Sequence, residues 1–266
     1  MPSAECRVPG AEWDDFMREV QLRAGIDLKH YKESQVQRRV RGLMLRSGVD
    51  RLGDYLRLLD REPARQRELQ SCVTVPVSEF FRTPEQFEHL AQVILPRLLK
   101  RRRRLRVWSA GCSYGAEPCS LALLLHELAP KSGHYLLATD VDELALARAR
   151  AADSFTERDL RHVPAKLRGH FGPGRAKGRF ALSPALRSTV RFRKHDLLGE
   201  TAESDFDLIV CRNVMIYFTD DAKRRLYNTL YGALRPGGYL FVGTAEVLNR
   251  LPEAGFSQEA VGFYSK

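Results

Sequence analysis

Two glycines four apart, Gly111 and Gly115, follow the apolar run Val107, Trp108 and Ala110 and precede a leucine- and alanine-rich stretch from Cys119 to Leu128. Glycine alone lets a backbone approach a ligand closely or take a positive φ at low cost. The stretch Arg106 to Pro118, RVWSAGCSYGAEP, is therefore read as a strand, a tight turn and a helix, with main chain laid against a ligand and Glu117 beside it. It lacks the second and third glycines of the dinucleotide fingerprint, and alone it also fits a plain strand–turn–helix junction. Other strand ends add polar groups. Asp140 closes the run Tyr135–Thr139, and a carboxylate there has acceptor sites for both hydroxyls of a ribose. Asp196-Leu197 offers an acid for an adenine amino group and an apolar residue for its ring. Phe206–Cys211 runs into Arg212, Asn213 and, four residues on, Tyr217. With no phosphate-cradling loop, S-adenosylmethionine (SAM) fits this set better than NAD or ATP. Each residue also has a plainer reading: Asp140 as a helix N-cap, Asp196 as a turn cap, Tyr217 as a core aromatic with a satisfied hydroxyl.

The elements that must position these residues alternate from Leu105 onward. Strands are expected at Leu105–Ala110, Tyr135–Thr139, Val190–Asp196, Phe206–Cys211 and Tyr239–Gly243, and helices at Cys119–Leu128, Glu143–Ala151 and Asp220–Ala233. Such alternation predicts an α/β fold with a doubly wound, mostly parallel sheet, whose ligands bind beyond the carboxyl ends of the strands. The glycine- and proline-rich stretch Asp153–Arg187 interrupts it and is read as an inserted hairpin or subdomain. Phe256–Ala260 and Val261–Tyr264 are read as a closing antiparallel pair.

Ahead of the sheet, residues 11–70 read as all-helical. Trp13, Phe16, Met17 and Val20 mark one buried face, and Val36, Val40, Leu43 and Met44 mark another. Arg38, Arg39, Arg41 and Arg46 project opposite the second face, either as a solvated surface or as a docking surface for an acidic partner. Glu62 to Cys72 reads as a charged connector, partly helical. Val73 to Arg82, with Pro76 inside it, reads as an extended linker. Phe80 and Phe81 would plug the inter-domain region or hold Arg82 over a site. Thr83-Pro84 starts a helix expected to end near Pro96. The run Arg101–Arg104 reads as a solvated turn or a nucleic-acid patch.

The balance of 43 Lys and Arg against 33 Asp and Glu, net +10, makes polyanions or acidic protein surfaces plausible partners. Five cysteines without a C-x-x-C pair suit reduced, packed thiols in a cytoplasmic protein, and no metal is called for. No apolar run approaches a membrane span, and the N-terminus has no hydrophobic core of a signal peptide.

VTVPVSEFFR, RVWSAGCSYGAEPCSLA, ATDVD, FDLIVCRNVMIYF and LRPGGYLFVGTAE, together with GIDLKHYK…RRV near the N-terminus, resemble the bacterial chemotaxis-receptor glutamate methyltransferases, the CheR family, over nearly the whole chain. The resemblance implies transfer of methyl from SAM to glutamate carboxylates on cytoplasmic helices of chemoreceptors. It implies a class I, Rossmann-like methyltransferase domain at 85–266 with a three-stranded β-subdomain inserted at about 165–188, a linker at 73–84 and an all-helical, receptor-docking domain at 1–72. Carried over, the SAM-contacting positions are Pro76, Ser78, Arg82, Glu117, Asp140, Asp196, Leu197, Arg212 and Asn213, and the reaction centre is Arg82 with Tyr217. Arg38, Arg39, Arg41 and Arg46 would face the receptor, and the enzyme is expected to be a cytoplasmic monomer that neither enters membranes nor binds nucleic acid. Pro76, Ser78, Tyr114, Ala116, Cys119 and Asp196 depart from the family's commoner residues. Two alternatives stand beside this reading: a non-catalytic SAM-binding regulatory module, and a methyltransferase acting on RNA. Against the second, no proline follows Asn213, where base-methylating enzymes carry a D/N-P-P-Y/F motif.

Overall fold

The computed structural model describes residues 10–74, 78–199, 203–246 and 255–266. They fall into two compact units, 10–74 with 217–223, and the remainder. In the first, apolar residues at helical spacing give α1 (Gly10–Ala24), α2 (Glu33–Arg46) after a 3-10 turn at Leu28–His30, α3 (Leu52–Arg61) and α4 (Pro63–Thr74). Trp13, Phe16, Val20, Val40, Leu43 and Tyr55 fill their shared core, with Met17 only partly buried against it. The expected extended linker begins later than Val73. Leu69 and Val73, i and i+4, are both fully buried, so the helix gains by running on to Thr74. Pro76 lies outside the described residues. The segment 217–223 belongs to this unit through the Lys32 N–H, which donates to the Tyr217 carbonyl at 2.9 Å, and the Thr219 N–H, which donates to His30 at 2.9 Å.

The second unit opens with α5 (Pro84–His89), which passes through one π turn, Leu90–Ile94, into α6 (Leu95–Arg101). The helix was expected to stop near Pro96. A proline interior to a helix lacks a donor and crowds the carbonyl four residues back. Here the Leu95 N–H bonds five residues back to Leu90, and the widened turn just ahead of Pro96 lets the helix continue. Then follow β1 (Arg106–Ala110), α7 (Ala116–Leu128), β2 (Tyr135–Asp140), α8 (Glu143–Ala151), α9 (Glu157–Leu160), β3 (Phe171–Pro173), β4 (Phe180–Leu182), α10 (Pro184–Arg187), β5 (Val190–Lys194), β6 (Phe206–Cys211), α11 (Asp220–Ala233), β7 (Leu234–Val242), β8 (Ser257–Ala260) and β9 (Phe263–Ser265).

The main sheet runs β5-β2-β1-β6-β7-β9-β8. Its first five strands are parallel, and β9 and β8 close it antiparallel. The chain leaves β1 toward β2 and β5, then returns to β6 on the other side, so the switch in direction falls between β1 and β6. A ligand crevice opens at the carboxyl end of such a switch. The inserted subdomain pairs β3 with β4 only; a third strand is reduced to one bridge, Phe155 to Phe180. Phe80 and Phe81 sit in this unit's own core, Phe80 edge-on to Phe155 and Phe171, and Phe81 edge-on to Phe87. Cys112, Cys119 and Cys211 are buried free thiols; burial pushes the Cys119 thiol up to about 12. Among the described residues, no helix is long and apolar enough to cross a membrane.

Candidate active site

The turn after β1 needs positive φ three times, at Gly111 (84°), Ser113 (51°) and Gly115 (93°). Gly115 caps α7, which starts at Ala116, three residues before the expected Cys119, so Glu117 lies in its first turn. Added side chains would collide there: a Cβ at Gly111 would meet Val214 Cγ2 at 2.5 Å, and one at Gly115 would meet Ala149 Cβ at 2.9 Å.

Glu117 is buried and pairs with equally buried Arg212, Oε2 to Nη1 at 3.8 Å, while Ser109 Oγ donates to Glu117 Oε1 at 2.8 Å. Burial pushes the Glu117 carboxyl up, against the pull of Arg212 and the Ser109 hydroxyl. Burial likewise lowers Arg212, opposed by Glu117. Arg212 Nη2 donates to the Arg82 carbonyl at 2.8 Å and to Gln86 Oε1 at 3.0 Å. Its guanidinium lies 4.6 Å from the Phe241 ring centroid. Arg82 itself is held between two left-handed residues, Phe81 (φ 52°) and Thr83 (φ 61°). Such backbone persists only where the surroundings impose it, here through the Phe81 N–H donating to buried Ser120 Oγ at 3.0 Å.

Asp140 ends β2 and receives the Ser113 N–H on Oδ2 at 2.7 Å and the Asp142 N–H on Oδ1 at 2.9 Å. It does not cap α8; Asp142 does, accepting from Leu144 and Ala145. Burial pushes the Asp140 carboxyl above the usual range, with those backbone donors acting against the rise. Leu197 is buried, but Asp196 is exposed and its Oδ1 caps its own turn by accepting the Leu198 N–H at 2.9 Å. Ser78 is buried and its carbonyl accepts from the Tyr114 hydroxyl, which also reaches Asp159 Oδ1 at 3.1 Å. Tyr114 thus clasps the chain leading into Arg82.

Asn213 adopts φ 61° and depends on a residue that sequence reasoning passed over. Glu246, 3% exposed, accepts the backbone N–H groups of Asn213 (2.6 Å), Met215 (2.8 Å) and Gly243 (3.0 Å). Glu246 was visible within GYLFVGTAE, yet an acid just past a strand reads equally as a helix-starting residue. Glu246→Gln turns one acceptor into a donor facing these N–H groups. It is expected to lower the unfolding free energy by about 1–3 kcal/mol, measured by urea denaturation. An unchanged midpoint would show that the three bonds contribute nothing net.

Glu117, Arg82, Arg212, Asn213, Ser78 and Asp140 thus stand at or beside the carboxyl ends of β1, β2 and β6, whereas Asp196 is an exposed turn residue. Tyr217 belongs to the helical unit, with the Arg39 guanidinium 4.8 Å from its ring centroid. On α2, Arg38, Arg41 and Arg46 are exposed, but Arg39 is half-buried and donates to the Val73 carbonyl at 2.6 Å.

Residues 76–260 match the family described as CheR methyltransferase, SAM binding domain, and residues 11–74 match CheR methyltransferase, all-alpha domain. A chemotaxis protein methyltransferase of Listeria monocytogenes is 36% identical over 252 residues, covering 94% of this chain and 95% of that protein. Chemotaxis protein methyltransferase 1 of Pseudomonas aeruginosa is 36% identical over 254 residues, covering 91% and 92%. A chemotaxis protein methyltransferase of Pseudomonas putida is 31% identical over 254 residues with the same coverage, 91% and 92%.

Proposed function

The chain belongs to the CheR methyltransferase family, and on that premise we propose that it methylates glutamate side chains on the cytoplasmic helices of chemoreceptors with SAM as donor. The observation that carries this reading is the buried Glu117–Arg212 pair beside Asp140 at the switch point of the sheet. The residues present suit that cofactor. Ser113 Oγ and Arg212 Nε are buried without a hydrogen-bond partner, and the two glycines let the turn pack directly on Val214 and Ala149. Asp140 keeps acceptor capacity for ribose hydroxyls beside its two backbone donors, since a carboxylate offers about four lone-pair sites. Glu117, with the charges of Arg212 and Arg82 beside it, suits the zwitterionic tail, and Leu197 suits the adenine ring. Asn213, Ser78 and Pro76 complete the proposed contacts. Asp196 would contribute by its turn alone.

When bound, the cofactor supplies a methyl carbon on a sulfonium, an electrophile that needs no further activation. A glutamate side chain, with a pKa of about 4.3, is already ionised at neutral pH, so no general base is required of the protein. What remains is alignment. Arg82 would steer the incoming carboxylate, and the Tyr217 hydroxyl would fix its angle by donating a hydrogen bond. Arg38, Arg41 and Arg46 would dock acidic receptor helices with modest, salt-sensitive affinity. Arg39 is engaged by Val73 and Tyr217, which supports a positioning part for it instead.

The direct test is methyl transfer from radiolabelled SAM to membranes carrying chemoreceptors, followed by mild alkali. Esters release volatile methanol, and label that resists alkali would overturn the glutamate assignment. Tyr217→Phe is expected to lower kcat while SAM affinity stays unchanged; full activity would remove that role.

A pH dependence follows from the raised Asp140 and Glu117 carboxyls. The folded state binds their protons more tightly than the unfolded chain does, so falling pH relieves a burial penalty and these two groups do not drive acid unfolding. SAM affinity should nevertheless fall as they protonate, at a pH above the ordinary range for carboxylates. Calorimetry between pH 7.5 and 5 checks this, and Asp140→Asn should flatten part of the profile. A flat wild-type profile would contradict it.

A further inference from the structure

Two arginines of the exposed run ahead of β1, Arg102 and Arg104, border a cavity. At the opposite end of the sheet from the SAM site, Arg102, Arg104, Arg106 and Arg235 line one cavity of about 370 Å³ with Tyr135. Arg106 and Tyr135 open β1 and β2, so the cavity lies at the amino ends of these strands. Three of the four guanidiniums are held in place by acids. Arg102 Nε lies 3.3 Å from buried Asp207 Oδ1, Arg235 Nη1 lies 3.2 Å from the same oxygen, and Arg106 Nη2 lies 2.6 Å from Glu203 Oε2. Arg106 is fixed further by its position over the Tyr135 ring, 4.4 Å from the centroid, and over Phe206, at 5.2 Å. Its Nε is buried with no hydrogen-bond partner. Arg104 has no acidic partner among the described residues, and Arg191 adds another guanidinium 4.9 Å from the Tyr135 centroid.

Arg235 Nε also lies 3.8 Å from Asp205 Oδ1, so three acids, Asp205, Asp207 and Glu203, face the four arginines of the lining and leave one positive charge in excess, to which Arg191 on the Tyr135 ring adds another. Guanidinium donors in fixed forks match the oxygens of adjacent phosphate groups, which a single small anion cannot span. We propose that this cavity binds a polyphosphate group, independently of the SAM site. A second cavity of about 230 Å³ shares Arg104 and Tyr135 and is lined by Leu125, Leu136 and Leu186. It offers room for an organic substituent on the polyphosphate.

The test is calorimetric titration of the full chain with inorganic tripolyphosphate, with ATP and with sulfate as separate arms. Saturable tripolyphosphate binding is expected, weakening as salt is raised, with sulfate far weaker. Tighter binding of ATP than of tripolyphosphate would assign the second cavity to a nucleoside; equal binding would assign the site to the phosphates alone. Arg104→Ala, at an exposed position, should weaken tripolyphosphate about tenfold, as loss of a charge-assisted contact does, while SAM affinity is unchanged. Arg103→Ala, outside the cavity lining, should change it little. The proposal is overturned by absence of saturable binding at millimolar tripolyphosphate, by equal losses in the two variants, or by competition between tripolyphosphate and SAM. Tighter binding of a short RNA than of either phosphate ligand would also overturn it, in favour of a nucleic-acid surface.

Discussion

Arg212→Met is expected to destabilise the protein by about 3–5 kcal/mol, because it leaves the Glu117 carboxylate buried without its counter-charge. The loss includes the bonds to the Arg82 carbonyl and to Gln86, so the approach to Arg82 should loosen as well. Chemical denaturation at two pH values separates these effects. Burial already holds the Glu117 carboxyl high, and removing the guanidinium raises it further. The penalty for an ionised Glu117 is therefore full at pH 8 and shrinks as pH falls through its raised pKa, so the variant should lose less stability at pH 5 than at pH 8. The double variant Arg212→Met with Glu117→Gln should regain part of the loss at pH 8. Equal losses at the two pH values, with no recovery in the double variant, would mean that the pair is electrostatically inert. Arg212→Lys should remain impaired, since one ammonium does not reproduce the planar fork that reaches Arg82, Gln86 and Glu117 together.

Gly115→Ala is expected to cost about 2–4 kcal/mol. About 1–2 of this is the left-handed backbone at φ 93°, and the remainder is the contact of the new methyl with Ala149, whose Cα would lie 3.1 Å away. Gly133→Ala is the control. It also has positive φ, at 61°, but nothing lies within 4 Å of the added Cβ, so only the backbone cost of about 1–2 kcal/mol applies. Thermal and urea unfolding of both variants measure the difference. Equal losses would show that α8 yields to the extra methyl and that the close packing of the turn on that helix is not what demands glycine. SAM affinity should fall with Gly115→Ala and stay unchanged with Gly133→Ala, which lies in a turn at the other end of the sheet.

Local chemistry made much of this legible in advance. The apolar runs ending in Gly111, Asp140 and Arg212 are short, regular and punctuated, so their strand identity and their carboxyl-end residues were readable without coordinates. The family was readable too, because CRNVMIYF and its companion motifs each lie within a short run of the chain. Element ends were less legible where tertiary packing rewarded a longer helix, as at Val73, or where a π turn made room for Pro96. Asp196 was open to two readings, because an acid that ends a strand beside a ligand and an acid that caps its own turn have the same local sequence, and the structure shows the turn. Glu246 escaped notice because the three N–H groups it accepts lie on two separated segments.

The sequence alone therefore determined the alternation of strands and helices, the glycine turn, the family and the kind of cofactor, since each depends on periodicity or on short motifs that can be read one strand end at a time. Only the tertiary structure decided which charges meet. Arg212 and the Arg82 carbonyl are 130 positions apart, and Arg212 reaches this place because the strand order sets β6 parallel beside β1. The same neighbouring of β1 and β6 brings Glu117 to Arg212 beside the glycine turn. The partners of a buried charge follow from strand order, a three-dimensional property that no one-dimensional pattern carries.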